Sequence, residues 1–133
     1  MVKNRMRRGE QPRDPGAIVL RGDALDEECL SRDAAANFAI YGFYGLSVWV
    51  PGADVSEVDI LEGKLVKAQI IVRFVAGDLY ARNLLLWDTG LFPHYDGVYL
   101  MGDKLDELVR AITDAPSTSM INPYHDPDGG PER

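Results

Sequence analysis

His94, Tyr95 and Asp96 stand together after a turn rich in Gly90, Pro93 and Gly97, and Asp88 and Thr89 precede that turn. In an extended chain side chains alternate, so His94 and Asp96 share a face and Tyr95 takes the other. A histidine with a carboxylate two residues on suits an oriented general base, because the carboxylate raises the basicity of the imidazole and fixes its tautomer. Asp88, across the turn, is a second acid that could orient it, and Thr89 and Tyr95 could bind substrate. A structural alternative is equally simple: Pro93 and His94 shape the turn, Asp96 caps it and Tyr95 packs on a sheet.

Arg21 ends a short apolar run beside Gly22, where main chain can approach a ligand and a guanidinium can clamp a carboxylate or phosphate at two points. With Ser47 in the next extended run it completes a candidate substrate-binding set of Arg21, Ser47, Thr89 and Tyr95. No metal site is expected. His94 and His125 do not have a zinc spacing with Asp96, Asp126 or Asp128, and the single cysteine, Cys29, rules out a thiolate cluster. Cys29 reads as a buried inert thiol. No phosphate-binding glycine loop, GxSxG elbow or dinucleotide fingerprint occurs, so no cofactor is expected.

The elements that would position these residues follow from periodicity. Ala17–Leu20 is a continuous apolar run, as in an interior strand. Asp23 or Asp26 then caps a helix whose Leu30, Ala34, Phe38 and Tyr41 recur on one side and which Gly42 stops. Leu46, Val48 and Val50 alternate with Ser47 and Trp49, giving a second strand. Asp54 and Glu57 have the spacing of a capping box before a short helix with Val55, Val58 and Leu61 inward, ending at Gly63. Ala68, Ile70, Val72 and Phe74 on one face, with Ile71 and Val75 on the other, predict a central strand covered on both sides. A single helical turn follows Gly77, and Leu84–Trp87 and Val98–Met101 form an antiparallel hairpin around the turn.

A last helix, opened by Asp103, places Leu105, Leu108, Val109 and Ile112 on one stripe. Burying these four contributes roughly 6–12 kcal/mol before entropy, against about 0.3–0.5 for the exposed Asp106–Arg110 pair. The order β-α-β-α-β-(short α)-β-β-α predicts an α/β (α+β) fold: a mixed sheet of about five strands with a C-terminal antiparallel hairpin, covered by helices.

At 133 residues the chain is one domain's worth, able to bury roughly two thirds of the surface its unfolded form exposes. Residues 1–16 read as a basic flexible arm, 17–114 as the domain, and 115–133 as a flexible Pro/Asp/Gly-rich tail. Within that tail Tyr124 and His125, bracketed by prolines, resemble a short partner-docking element. No apolar run nears the ~20 residues of a membrane span, and the basic start lacks a secretory apolar region, so the expected location is cytoplasmic.

The net charge of −7 is unevenly spread. Lys3, Arg5, Arg7, Arg8 and Arg13 against Glu10 make the first thirteen residues +4, leaving nine basic and twenty acidic side chains, or −11, for the remainder. An acidic body repels phosphate over about 8–10 Å at physiological salt, which argues against duplex nucleic acid as a partner of the folded part.

Arg21-Gly22 after a strand, Tyr41-Gly42-Phe43-Tyr44-Gly45-Leu46-Ser47-Val48, Pro93-His94-Tyr95-Asp96 and Asn122-Pro123 resemble a family of small uncharacterised bacterial α/β proteins across most of residues 7–124. That resemblance implies a single domain and no activity. Arg21, Ser47 and a later acid also superficially resemble the arginine, serine, glutamate order of ADP-ribosyltransferase toxins, but the late strand offers Asp96 where that family has glutamate, and Glu107 falls on the last helix. Two functions stay open. One is a protein-interaction domain whose partner is another protein, encoded by a neighbouring gene, as in a bacterial toxin–antitoxin or phage accessory pair. The other is a small hydrolase or transferase acting on a nucleotide or RNA through His94 and Arg21.

Overall fold

A computed structural model describes residues 14–23, 25–42, 44–52, 55–91, 94–100 and 104–128, with main chain alone for 41, 87–91 and 94–100. Among the described residues six strands, β1 (Ile18–Gly22), β2 (Gly45–Trp49), β3 (Ile70–Val75), β4 (Leu84–Leu91), β5 (His94–Leu100) and β6 (Thr118–Ile121), form one sheet in the order β4-β5-β2-β1-β3-β6. Four helices, α1 (Glu27–Tyr41), α2 (Glu57–Glu62), α3 (Ala76–Tyr80) and α4 (Leu105–Asp114), alternate with them. The α+β class and the β4–β5 hairpin are as the sequence predicts.

The sheet is antiparallel throughout, not mixed, and has six strands rather than about five. Alternating strands and helices suggest parallel crossovers. Here, however, β1 and β2 run in opposite directions, so the chain leaves β1 and enters β2 at the same end of the sheet. β1 is the centre, pairing with β3 over five residues from Ile18↔Val75 to Gly22↔Ile71 but with β2 only at Leu20↔Trp49.

Side-chain alternation along β1 divides the core between two faces. Val19 joins Leu30 and Ala34 of α1, Leu108 and Ile112 of α4, Ala76 and Leu79 of α3, and Phe74. On the reverse face Leu20 and Ile71 pack with Ile60 and Leu61 of α2 and with Leu65 and Ala68. Gly22 permits that second contact, since a Cβ there would lie 3.1 Å from Ala68 and 3.2 Å from Leu65. Among the described residues no helix is long and apolar enough to cross a membrane.

Two helices differ from their expected inward faces. On α1, Leu30 and Ala34 are buried, but the next inward position is Asn37 rather than Phe38, which is 43% exposed and stacks on Tyr44 at 4.5 Å between ring centroids. On α2 the capping box is Ser56 with Asp59, two residues beyond the expected start, so Ile60 and Leu61 are buried while Val58 is exposed. The expected Asp54 and Asp103 caps lie outside the described residues. Asp26 caps α1 through Cys29 N–H at 3.0 Å, and Gly42, at φ 86°, closes it with an N–H bond to Phe38 O.

The packed region also extends past Asp114. β6 pairs with β3 from Arg73↔Thr118 to Ile70↔Ile121, and Asn122, 2% exposed, donates to Leu61 O at 3.0 Å and Leu65 O at 2.9 Å while accepting from Tyr124 N–H. Asp126 N–H adds a bond to Val66 O. Residues 115–128 therefore belong to the fold and are not a loose tail, because Asn122 satisfies two carbonyls that the α2–β3 connection leaves over. Residues 1–13 of the arm lie outside the described residues.

Asn122→Ala strands those buried carbonyls and should cost roughly 2–4 kcal/mol in denaturant unfolding. The caps predict a pH effect. Hydrogen bonds from the Cys29 main chain hold Asp26 below its ordinary 3.8, and those from Ser56 do the same for Asp59. A carboxylate depressed by folding stabilises above its unfolded pKa, and that support is lost as pH falls through its lower folded value. Asp26→Asn with Asp59→Asn should therefore lower Tm relative to the parent at neutral pH, with the difference shrinking as pH falls through the lowered folded pKa values of the two carboxylates.

Candidate functional site

The strongest polar arrangement among the described residues joins Arg21 and Ser47 through two residues of α1. Arg21, 8% exposed, donates through Nη1 to Asp33 Oδ2 at 2.7 Å and to Ser47 O at 2.9 Å. Asp33 Oδ2 also accepts from Ser47 N–H at 2.9 Å, and Asn37 Nδ2 donates to Gly45 O at 2.8 Å. These three contacts to β2 meet main-chain groups.

The register explains why side chains are needed there. Toward the start of β2, where β1 no longer pairs with it, an α1 carboxylate, an α1 amide and the β1 guanidinium meet its polar groups. On its other side the β2–β5 ladder shifts between Leu46↔Val98 and Val48↔Tyr95, so Ser47 faces Asp96 and Gly97 across an irregularity. A bulge loses ladder bonds, and buried main-chain groups must find other partners. Arg21, Asp33 and Asn37 form a polar staple over this seam. The staple has one strained feature: Arg21 Nε is buried without a hydrogen-bond partner.

The main chain also places the hairpin residues. His94 pairs with Trp49 of β2 and Leu91 of β4, and Tyr95 with Val48 and Asp88. Thr89 falls in the irregular stretch between the Asp88↔Tyr95 and Leu91↔His94 pairs. Leu20, Trp49 and His94 thus form a row across three adjacent strands, and Arg21 is one residue along from it. With strands about 4.8 Å apart, the His94 main chain lies roughly 10 Å from that of β1. The structure therefore brings Arg21 and Ser47 into contact and sets the His94–Asp96 main chain beside Ser47; the side chains of Asp88, Thr89, His94, Tyr95 and Asp96 lie outside the described residues.

Tyr124 and His125 are not on a free extended segment. They follow Asn122 in a turn closed by His125 N–H to Asn122 O at 3.1 Å, with Tyr124 39% exposed. Cys29 is half-buried, and its hydrogen bond to Asp26 raises the thiol pKa, so it remains protonated and weakly nucleophilic. No group of three or more His, Cys, Asp and Glu among the described residues is placed to hold a metal ion.

Sequence periodicity did not mark the groove between α1 and α4. It has a volume of about 580 Å³, with Leu25, Leu105 and Val109 supplying apolar lining and Glu27, Asp106 and Asp114 the acidic groups against one base, Arg110. It lies between two helices that both bury residues in the main core: Leu30 and Ala34 from α1, Leu108 and Ile112 from α4. Of its lining, the sequence pattern singled out only Leu105, Val109 and the exposed Asp106–Arg110 pair, each for the last helix alone.

The staple predicts how substitutions divide. Asp33→Ala leaves the Arg21 guanidinium without its carboxylate and should cost about 3 kcal/mol, and Asn37→Ala about 1–3, in denaturant unfolding. Ser47→Ala should cost less than Asp33→Ala, because the Ser47 N–H bond to Asp33 and the Ser47 O bond from Arg21 are main-chain contacts that the substitution keeps. No family model, curated protein or solved structure matches this chain, so its own residues carry the functional argument.

Proposed function

We propose that this chain is a protein-interaction domain whose docking face is the α1–α4 groove, and that it is one component of a bacterial toxin–antitoxin or phage accessory pair. The observation that carries the reading is the groove's composition: apolar Leu25, Leu105 and Val109 bordered by Glu27, Asp106 and Asp114. That combination suits a segment of another protein that presents apolar residues on one side and lysine or arginine on the other. Apolar burial supplies affinity, and the acids steer the approach and fix the register. The overall charge agrees, since −11 over residues 14–133 favours a basic partner and disfavours nucleic acid.

Arg21 supports the same direction. An enzyme that used it to clamp an anion would need its guanidinium available, whereas Nη1 already serves Asp33 and Ser47. Its removal is expected to register first as lost stability.

The test is co-expression with the protein encoded by the neighbouring gene, followed by size-exclusion chromatography. Co-elution is expected, with Asp106→Lys combined with Asp114→Lys weakening the complex by at least about tenfold and leaving the fold intact by circular dichroism. Separate elution, together with no growth effect of either protein in cells, contradicts the proposal.

A further inference from the structure

We infer that the groove has an occupant within the same chain: the basic segment Met1–Arg13 binds across α1 and α4 and covers the docking face until a partner displaces it. The inference rests on the groove being the docking face of the proposed function.

Charge complementarity is the first support. Lys3, Arg5, Arg7 and Arg8 are concentrated in the segment, while Glu27, Asp106 and Asp114 line the groove. Apolar content is the second. Val2 and Met6 lie among those bases and supply apolar side chains that suit the apolar lining of Leu25, Leu105 and Val109.

Reach is the third. Pro116 to Thr118, which follow α4, line a smaller hollow together with Ile18 at the start of β1, so the segment joins the domain near the C-terminal end of α4. Thirteen residues can span up to about 43 Å, whereas α4 with ten residues is about 15 Å long. A short tether gives an effective concentration on the order of millimolar, so even a weak contact of this kind is populated without a partner. A displaceable cover of this type also screens the apolar strip from unintended contacts.

The experiment is zero-length carbodiimide crosslinking of the full chain, with peptide mapping by mass spectrometry on an equal mixture of ordinary and 15N-labelled protein. Lys3 should couple to Glu27, Asp106 or Asp114 within one chain, and the yield should fall at least about fivefold in 1 M NaCl, where the screening length drops to about 3 Å. Asp106→Lys with Asp114→Lys should suppress links from Lys3 to Glu27 by a similar factor, while the α2 carboxylate Glu62, remote from the groove, gains none. Links from Lys3 spread evenly over Glu62, Asp128 and the groove, links only between differently labelled chains, or no Lys3 links would each overturn the inference. Co-elution with the neighbouring gene's protein that is lost on groove charge reversal, without Lys3 crosslinks, would remove this inference and leave the interaction reading standing.

Discussion

The seam between β1 and β2 is the constraint on which the rest depends. The two strands share one register pair, so the central sheet would open there unless other groups met the β2 main chain. Arg21 and Asp33 do so at Ser47, and Asn37 does so at Gly45. The arrangement also fixes α1: Asp33 and Asn37, one turn apart, attach the helix to β2 by hydrogen bonds while Leu30 and Ala34 attach it by burial. Because α4 packs on α1 and the core beneath, the geometry of the α1–α4 groove is inherited from the same seam.

Energetically the staple resembles a buried ion pair with a second duty. A pair of charges removed from water rarely stabilises much by itself, since desolvation offsets attraction. Here Asp33 and Arg21 also bond the main chain of β2, which uses capacity that would otherwise be lost on burial. The orphaned Arg21 Nε is a cost that these contacts outweigh. Functional and structural readings of an arginine at a strand end thus diverge on one fact, whether a carboxylate of the same chain has already engaged it.

Much of the fold was legible because strands and helices announce themselves by period. The apolar runs at 17–20, 46–50 and 68–75 fall at β1 (Ile18–Gly22), β2 (Gly45–Trp49) and β3 (Ile70–Val75), and α4 buried Leu108, Val109 and Ile112 as expected. The polar parts were harder to see. Asp33 and Asn37 are four apart beside an apolar stripe, yet periodicity assigned the inward position to Phe38, because it scores hydrophobicity and does not see an unpaired sheet edge that needs an amide. Asn122 was invisible for the same reason: its partners, Leu61 and Leu65, are 61 and 57 residues away in the chain. The groove is lined from two helices far apart in the chain, a pairing that no local pattern encodes. Arg21 and Ser47, expected as substrate-binding residues, lie in contact, with Asp33 bonded to both.

A double-mutant cycle on Arg21 and Asp33, read by equilibrium unfolding of Arg21→Met, Asp33→Asn and the combined variant, tests the central claim most directly. Coupling of about 2 kcal/mol between the two sites is predicted, as expected for a partly buried pair sharing one strand's main chain. Losses that simply add, within about 0.5 kcal/mol, would show that the pair does not hold the seam and would return Arg21 to the list of ligand-binding residues.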